Sequence, residues 1–253
     1  MRTHARREPV ERAERRVEEA ARAADVELVP VDAAEPDVVV VLGGDGTMLR
    51  ALRATLGTRT PVFGVNFGRV GFLTSARADE LDSALERVFA GDFRVVELAT
   101  LRARLGESEH AAINDVVVTS ARPGRMVELG WELGGEPLGL QPCDGMICCT
   151  PSGSTAYNLS NGGPVMMWGL EAMAMTFVAP HSLHTRPLVV PRGLDLLVTN
   201  RAREQPVTVL VDGHEVGALA GDGGLEVGVG GDRCRLALLP EVTFFSRYHD
   251  LFR

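Results

Sequence analysis

Residues 37–50, Asp37-Val-Val-Val-Val-Leu-Gly-Gly-Asp-Gly-Thr-Met-Leu-Arg50, are compatible with few folds. Val38 to Leu42 is an unbroken apolar run, as expected of a strand buried on both faces in a parallel sheet. It ends at Gly43-Gly44-Asp45-Gly46-Thr47, after which Met48, Leu49, Ala51 and Leu52 take up helical spacing. Strand, glycine turn and helix start is how an open α/β sheet presents a phosphate site, with the helix amides pointing at the anion. Asp45 is out of place in a plain phosphate cradle. A carboxylate about 4 Å from a phosphate charge is repelled by about 4 kcal/mol at an effective dielectric near 20. Its presence makes sense if it takes a proton from an attacking hydroxyl or holds a divalent metal. The alternative is a solvated turn aspartate.

The chain of 253 residues has room for one large domain or two of ordinary size. A net charge of −8 argues against a nucleic-acid surface. No apolar stretch is long enough to span a membrane, and Met1-Arg-Thr-His-Ala-Arg-Arg lacks a signal-peptide core. Cys143, Cys148, Cys149 and Cys234 show no paired-ligand spacing, so they are expected to be reduced apolar fillers in a cytoplasmic protein. The sequence contains no lysine, and all 26 cationic side chains are arginine. This excludes a Walker-A loop and a Schiff-base lysine, so any phosphoryl chemistry must rely on backbone amides, arginine and metal.

The spacing predicts a helix over 9–24 with Val10, Ala13, Val17, Ala20, Ala21 and Ala24 on one stripe. A short strand from Glu27 to Val31, a buried strand over Pro61–Asn66 and a helix over 78–90 follow. This alternation is an open parallel α/β domain, assigned to residues 1–96. Strand-like segments then follow at 93–105, 111–119, 127–133, 173–178, 194–199, 207–211 and 234–239, with turns such as Gly134-Gly135 and Gly221–Gly224 between them. They predict a mostly-β second domain over 97–238. Residues 239–253 form a last segment expected to pack back on the first domain.

Three further stretches are candidates for chemistry. Gly64-Val-Asn66-Phe-Gly68-Arg69-Val70-Gly71-Phe72-Leu73 lies at the carboxyl end of a predicted parallel strand, where ligands of such sheets sit. Asn114-Asp115 can offer an amide and a carboxylate to a diol. Thr150-Pro-Ser152-Gly-Ser-Thr155-Ala156-Tyr157, with Ser160 and the preceding Asp144-Gly145, is dense in hydroxyls and glycine and carries one of two tyrosines. It suits hydrogen bonding to a polar ligand and packing of a ring, or else it is an ordinary hydroxyl-rich loop. His181 and His184 lack acidic or cysteine companions, and no zinc site is expected.

Taken together, these residues resemble the bacterial NAD kinase family. The likeness rests on Gly43–Thr47, the Gly64–Leu73 pattern, Asn114-Asp115, Thr150–Tyr157 with Ser160 and Gly162-Gly-Pro164, Pro180-His-Ser-Leu-x-x-Arg-Pro-Leu188, and Asp212-Gly213. The glycine loop alone is shared with lipid kinases and 6-phosphofructokinases. The resemblance implies an α/β domain followed by a β-sandwich with the dinucleotide between them, often in dimers or tetramers. It implies transfer of the γ-phosphoryl group of ATP, with Mg²⁺, to the 2′-hydroxyl of the adenosine ribose of NAD; polyphosphate is an alternative donor. By motif, Asp45 is the proton acceptor, and Gly44, Gly46 and Thr47 lie by the phosphates. Asn66, Phe72, Ser152, Ser160 and Ala179 join the substrate site. Asn114 and Asp115 hold ribose hydroxyls, and Thr155, Ala156 and Tyr157 meet adenine. Asp144 reaches a neighbouring subunit's site. The family usually has Asn-Glu where this chain has Asn114-Asp115, and a small residue where it has Asn161. It also opens with an apolar strand ahead of its first helix, which Met1–Glu8 does not supply. An upstream start is therefore expected, with about five to seven apolar residues before Met1. Rival readings are a lipid or sugar kinase sharing the glycine loop, and a dinucleotide sensor without turnover.

Overall fold

The valine run after Asp37 forms a parallel strand in the computed structural model, which describes residues 7–30, 36–68, 71–122, 124–202, 205–221 and 223–252. Val31, Arg69, Val70, Asp222 and residues 1–6, all named above, lie outside the described residues. The chain divides into two compact units. One takes the chain up to Glu97 together with Cys234–Arg253, and the other is Leu98–Arg233.

In the first unit, α1 (Arg7–Ala23) buries Ala13 and Ala21 and ends where Asp25 turns left-handed at φ +55°. Then come β1 (Val39–Leu42), α2 (Asp45–Ala54), β2 (Val62–Asn66), β3 (Ala76–Arg77), a 3₁₀ turn over Ala78–Glu80 and α3 (Leu81–Phe89). β1 and β2 run parallel, with Val39 opposite Val62 and Leu42 opposite Val65. Phe63 and Val65 of β2 meet Leu81, Leu85 and Val88 of α3 in one core. Full burial of a side chain such as Phe63 contributes about 1.5–3 kcal/mol. The strand expected from Glu27 to Val31 is not formed over the described residues 27–30. Leu28 and Val29 are 51% and 42% exposed, so no buried face fixes a strand there, and Pro30 has no amide to pair.

The second unit begins within β4 (Arg94–Leu105) and continues through β5 (Ser108–Ala112), β6 (Asp115–Ser120), β7 (Val127–Leu133), β8 (Glu136–Cys143) and β9 (Gly145–Cys149). After the one-turn α4 (Tyr157–Ser160) come β10 (Ala172–Val178), β11 (Leu188–Pro191), β12 (Leu196–Asn200), β13 (Val207–Val211), β14 (His214–Leu219) and β15 (Gly224–Leu238). Six strands form an antiparallel sheet in the order β11-β10-β9-β6-β13-β14. β12 pairs with β7 and β15, β7 with β8, and β4 with β5 and β15. The two layers share one core, to which Val116, Val118 and Met146 contribute from one side and Leu101, Leu129 and Val198 from the other. Val117 faces away from that core into a second cluster with Ile147, Met166 and Ala174. Both faces of β6 are therefore buried, which explains its all-valine centre. This second unit is the β-sandwich expected from the sequence.

The single strand expected over 111–119 is two, β5 and β6, with Ile113 and Asn114 between them. Cys143, Cys148, Cys149 and Cys234 are all buried. Burial pushes the Cys143 and Cys149 thiols up to about 12 and raises that of Cys148 as well, so none of these three is a reactive thiolate near neutral pH.

The last part of β15 returns to the first unit, where Leu236 pairs in parallel with Val62. The C-terminal α5 (Phe244–Leu251) is capped by Thr243, whose hydroxyl accepts from the Ser246 amide at 3.1 Å while Ser246 Oγ accepts from the Thr243 amide at 2.9 Å. It packs on the first unit, with the Phe244 ring 5.8 Å from that of Phe72. Among the described residues, no helix is long and apolar enough to cross a membrane.

Candidate functional site

The candidate residues fall into two groups, each built within one unit. In the first unit, Asp45 is the first residue of α2, and the N-cap before it is Gly44. No side chain at that cap competes for the first-turn amides, which suits an anion at the helix start. The Asp45 carboxylate folds back over the loop after β2: Oδ2 accepts from the Phe72 amide at 3.0 Å and Oδ1 from the Leu73 amide at 3.2 Å. A Cβ on Gly71 would stand 2.1 Å from Asp45 Oδ1, so only glycine lets the loop pass this close. Arg50, one turn into α2, donates to Thr47 Oγ1 at 3.3 Å and brings a cation to the loop of a lysine-free chain. Asn66 shapes this loop: its Oδ1 accepts from the Gly68 amide at 2.7 Å, and its Nδ2 donates to Thr74 Oγ1 at 3.4 Å. The Phe72 side chain is buried, so its backbone amide is what it offers to Asp45.

In the second unit, the Thr150–Ser160 stretch is joined to Asn114-Asp115. Thr150 Oγ1 donates to Ile113 O at 2.6 Å, Ser152 Oγ donates to the same carbonyl at 3.1 Å, and the Thr150 amide donates to Asn114 O at 2.9 Å. Ser152, expected in the substrate site, is thus buried and engaged inside the loop. Gly153 passes so close that a Cβ would lie 2.0 Å from Asn114 O. Buried Asn158 ties the turn together, donating to Ser154 O and Pro164 O and accepting from Thr176 Oγ1 at 2.7 Å. Thr155 and Ala156 remain half-buried, while Ser160 and Tyr157 are exposed, Tyr157 by 46%.

The strand entry at Asn114 is held by a residue nearly a hundred positions away. Asp212, at φ +47°, and Gly213, at φ +78°, form the two-residue turn between β13 and β14. The Asp212 carboxylate accepts from the amides of Ile113 (3.0 Å), Asn114 (2.7 Å) and Asp115 (3.1 Å). Asn114 Oδ1 is buried and has no hydrogen-bond partner, leaving an acceptor for a ligand hydroxyl. Burial, with the Asp212 charge adding to it, pushes the Asp115 carboxyl up to about 6. The folded chain therefore holds this proton more tightly than the unfolded chain, whose carboxyl titrates near 3.8. The group favours the fold below about pH 4 and opposes it progressively as pH rises through about 6. Asp115→Asn is expected to raise the melting temperature relative to the parent at pH 8 and to lose that advantage at pH 4, as thermal unfolding at the two pH values would show.

Asp144 and Ala179 stand apart from this group. Asp144 precedes β9 and its amide donates to Val178 O at 3.0 Å, whereas Thr150 follows β9. Five strand residues, roughly 17 Å at the usual rise, separate the two ends. Ala179, exposed and at φ +43°, lies at the Asp144 end.

Family models match both parts of the chain: that for the ATP-NAD kinase N-terminal domain covers residues 2–93, and that for the C-terminal domain covers residues 113–237. The chain is a member of the NAD kinase family of enzymes. An NAD kinase of Heliobacterium modesticaldum is 40% identical over 214 residues, covering 83% of this chain and 76% of its own length. One of Gemmatimonas aurantiaca is 40% identical over 219 residues, covering 83% and 75%. The crystal structure of an NAD kinase from Archaeoglobus fulgidus in complex with ATP matches with a TM-score of 0.80 at 26% identity, over 94% of this chain and 95% of that one. Yeast NADH kinase complexed with NADH matches with a TM-score of 0.75 at 25% identity, over 86% of this chain, which spans 66% of the yeast chain.

For this NAD kinase family member, sequence reasoning named Asp212 and Gly71 only as parts of motifs. Asp212 is a clamp on the Asn114 strand entry, and Gly71 is the gap that admits the Asp45 carboxylate. The Asp-Gly pair at 212–213 signals a tight hairpin. Nothing local to it points to residues 113–115.

Proposed function

We propose that this member of the family phosphorylates the 2′-hydroxyl of the adenosine ribose of NAD with ATP, giving NADP, and that Asp45 is the general base. The observation that carries this reading is the Asp45 carboxylate at the head of α2, aimed by the amides of Phe72 and Leu73. The hydroxyl oxygen forms a bond to the γ-phosphorus as its proton passes to Asp45, the bond from that phosphorus to the β–γ bridging oxygen breaks, and ADP leaves. The α2 amides and Arg50 offset phosphate charge, in keeping with a chain without lysine. The oxygen-donor character of the loop fits Mg²⁺, which is commonly held by one or two carboxylates together with substrate phosphates. Here the substrate phosphates would hold Mg²⁺, which would supply neutralisation of their charge and leave the Asp45 carboxylate to take the proton. NAD as acceptor is supported by the family, and ATP as donor by the A. fulgidus complex.

Asn114 Oδ1 and the Asp115 carboxylate receive ribose hydroxyls in this reading, and Tyr157 packs on the adenine neighbourhood. Since Tyr157 is exposed, Tyr157→Ala is expected to leave the melting temperature unchanged and to weaken NAD binding by about 1–3 kcal/mol, by analogy with bases stacked on aromatic rings. Calorimetric titration with NAD measures this, and unchanged affinity would remove Tyr157 from the site. Asp144 and Ala179, at the far end of β9, are assigned to the site of a neighbouring copy in a homo-oligomer. The buried cysteine thiols suit a cytoplasmic setting.

The test is an assay of the purified protein with NAD or NADH against ATP or polyphosphate, with the product identified as a 2′-phosphorylated dinucleotide. NADP formed from NAD and ATP is the expected result. NAD binding without ATP consumption would favour the sensor, and phosphorylation of a lipid or sugar alone would favour the other kinases.

A further inference from the structure

The C-terminal helix carries an arginine into the interior of the first unit. Arg247 is 7% exposed, and its guanidinium donates to the carbonyls of Thr74 and Ser75, the latter at 3.0 Å. Its Nε is buried without a hydrogen-bond partner. Burial disfavours the cation, and the carboxylates of Asp250, Asp45 and Glu80 favour it. An arginine on a terminal amphipathic helix is ordinarily solvated, so this placement carries a desolvation cost that capping the helix does not require.

The two carbonyls belong to the segment that directly follows the amides holding Asp45. Phe72 and Leu73 donate to the carboxylate, and Thr74 and Ser75 accept from Arg247. The segment is fixed at its far end by the Ser75 amide on Gly64 O at 2.8 Å and by Ser75 Oγ, which accepts from the Leu239 amide at 2.8 Å. Phe72 is also braced by Phe244, one turn before Arg247 on the same helix. We propose that Arg247 is a positioning residue for phosphoryl transfer: it fixes residues 72–75 so that the amides of Phe72 and Leu73 aim the Asp45 carboxylate. This deepens the reading of Asp45 as the base and rests on it.

Arg247→Met keeps the length of the stem and removes the donors. It is expected to lower kcat by about 10- to 100-fold, the scale of a misplaced catalytic group, with KM for NAD within about twofold. Hydrogen exchange at the Phe72 and Leu73 amides, followed by NMR without substrate, should become faster. Arg247→Lys, which retains a cationic donor, should recover most of kcat. In an Asp45→Asn background the Met change should cost nothing further, because its effect runs through that carboxylate. An equal loss of kcat in that background, or unchanged kcat and exchange in the single variant, overturns the proposal. If Arg247→Met does not fold, Arg247→Lys must itself show a smaller loss of kcat with faster exchange at both amides, and parental values for both overturn it. If Asp45→Asn alone retains the parental rate, the base assignment fails. The exchange at Phe72 and Leu73 still reports separately whether Arg247 holds the segment.

Discussion

Asp45→Asn is expected to keep the fold and slow turnover by about 10²–10⁴-fold, the range for a positioned general base. The substitution is nearly isosteric, and the asparagine oxygen can still accept from one of the two amides. The new amide group meets the other backbone donor and repels it. We therefore expect a melting temperature lowered by a few degrees, a shift equivalent to about 1 kcal/mol in a protein of this size. Affinity for NAD should stay within about threefold by calorimetry, since the carboxylate acts on the hydroxyl during transfer. A variant turning over within threefold of the parent would remove Asp45 from proton transfer.

Asp212→Ala should have the largest effect on the β-sandwich unit. One carboxylate accepts from three consecutive amides, and hydrogen bonds to charged groups contribute about 1.5–3 kcal/mol each without being additive. Alanine also inherits the left-handed backbone at φ +47°, where a Cβ without a local hydrogen bond is strained. A loss of about 3–5 kcal/mol in urea unfolding is expected, near the upper end for a single change. Asp212→Asn tolerates the same backbone and keeps one acceptor, so its loss should be under half as large. It also removes the charge that helps to hold the Asp115 proton. NAD binding through an ionised Asp115 should weaken in the parent as pH falls below about 6, and in Asp212→Asn the midpoint should move to lower pH. A midpoint that does not move would show that Asp212 acts on Asn114 and Asp115 through geometry alone.

The parts of the fold governed by local pattern were legible in the sequence. The Val39–Leu42 strand, the turn into α2 and the bounds of β7 follow from runs and periods that the residues carry themselves. β9 was missed because Gly145–Cys149 is buried at every position and shows no alternation. β8 was missed because Pro137 and Gly139 lower its strand signal, and β14 because His214 and Glu215 are polar and exposed. The break between β5 and β6 answers to Asp212, a partner in the turn between β13 and β14, and no window around Ile113 contains it. In the candidate site, Asp45 stands out in the sequence because a carboxylate is out of place among phosphates. The hydrogen bond that Ser152 makes to the Ile113 carbonyl is not legible in the sequence, which displays the residue type and not its partner. Arg247 was invisible for a similar reason: an arginine on an amphipathic helix reads as a solvent-facing charge.

The first unit is discontinuous, closing only when the end of β15 lies beside β2 and α5 reaches Thr74 and Ser75. On a ribosome, the glycine loop and Asp45 emerge first, yet the pieces that complete their surroundings are made last. The β-sandwich residues, all contained between them, can gather their core before the earlier-made half has its final strand. Domains generally fold as they are completed during synthesis, so this chain should mature from the middle outward, its first unit in waiting until translation is nearly done. A ribosome that stalls a few dozen codons short would release a folded β-sandwich joined to an unfinished first unit.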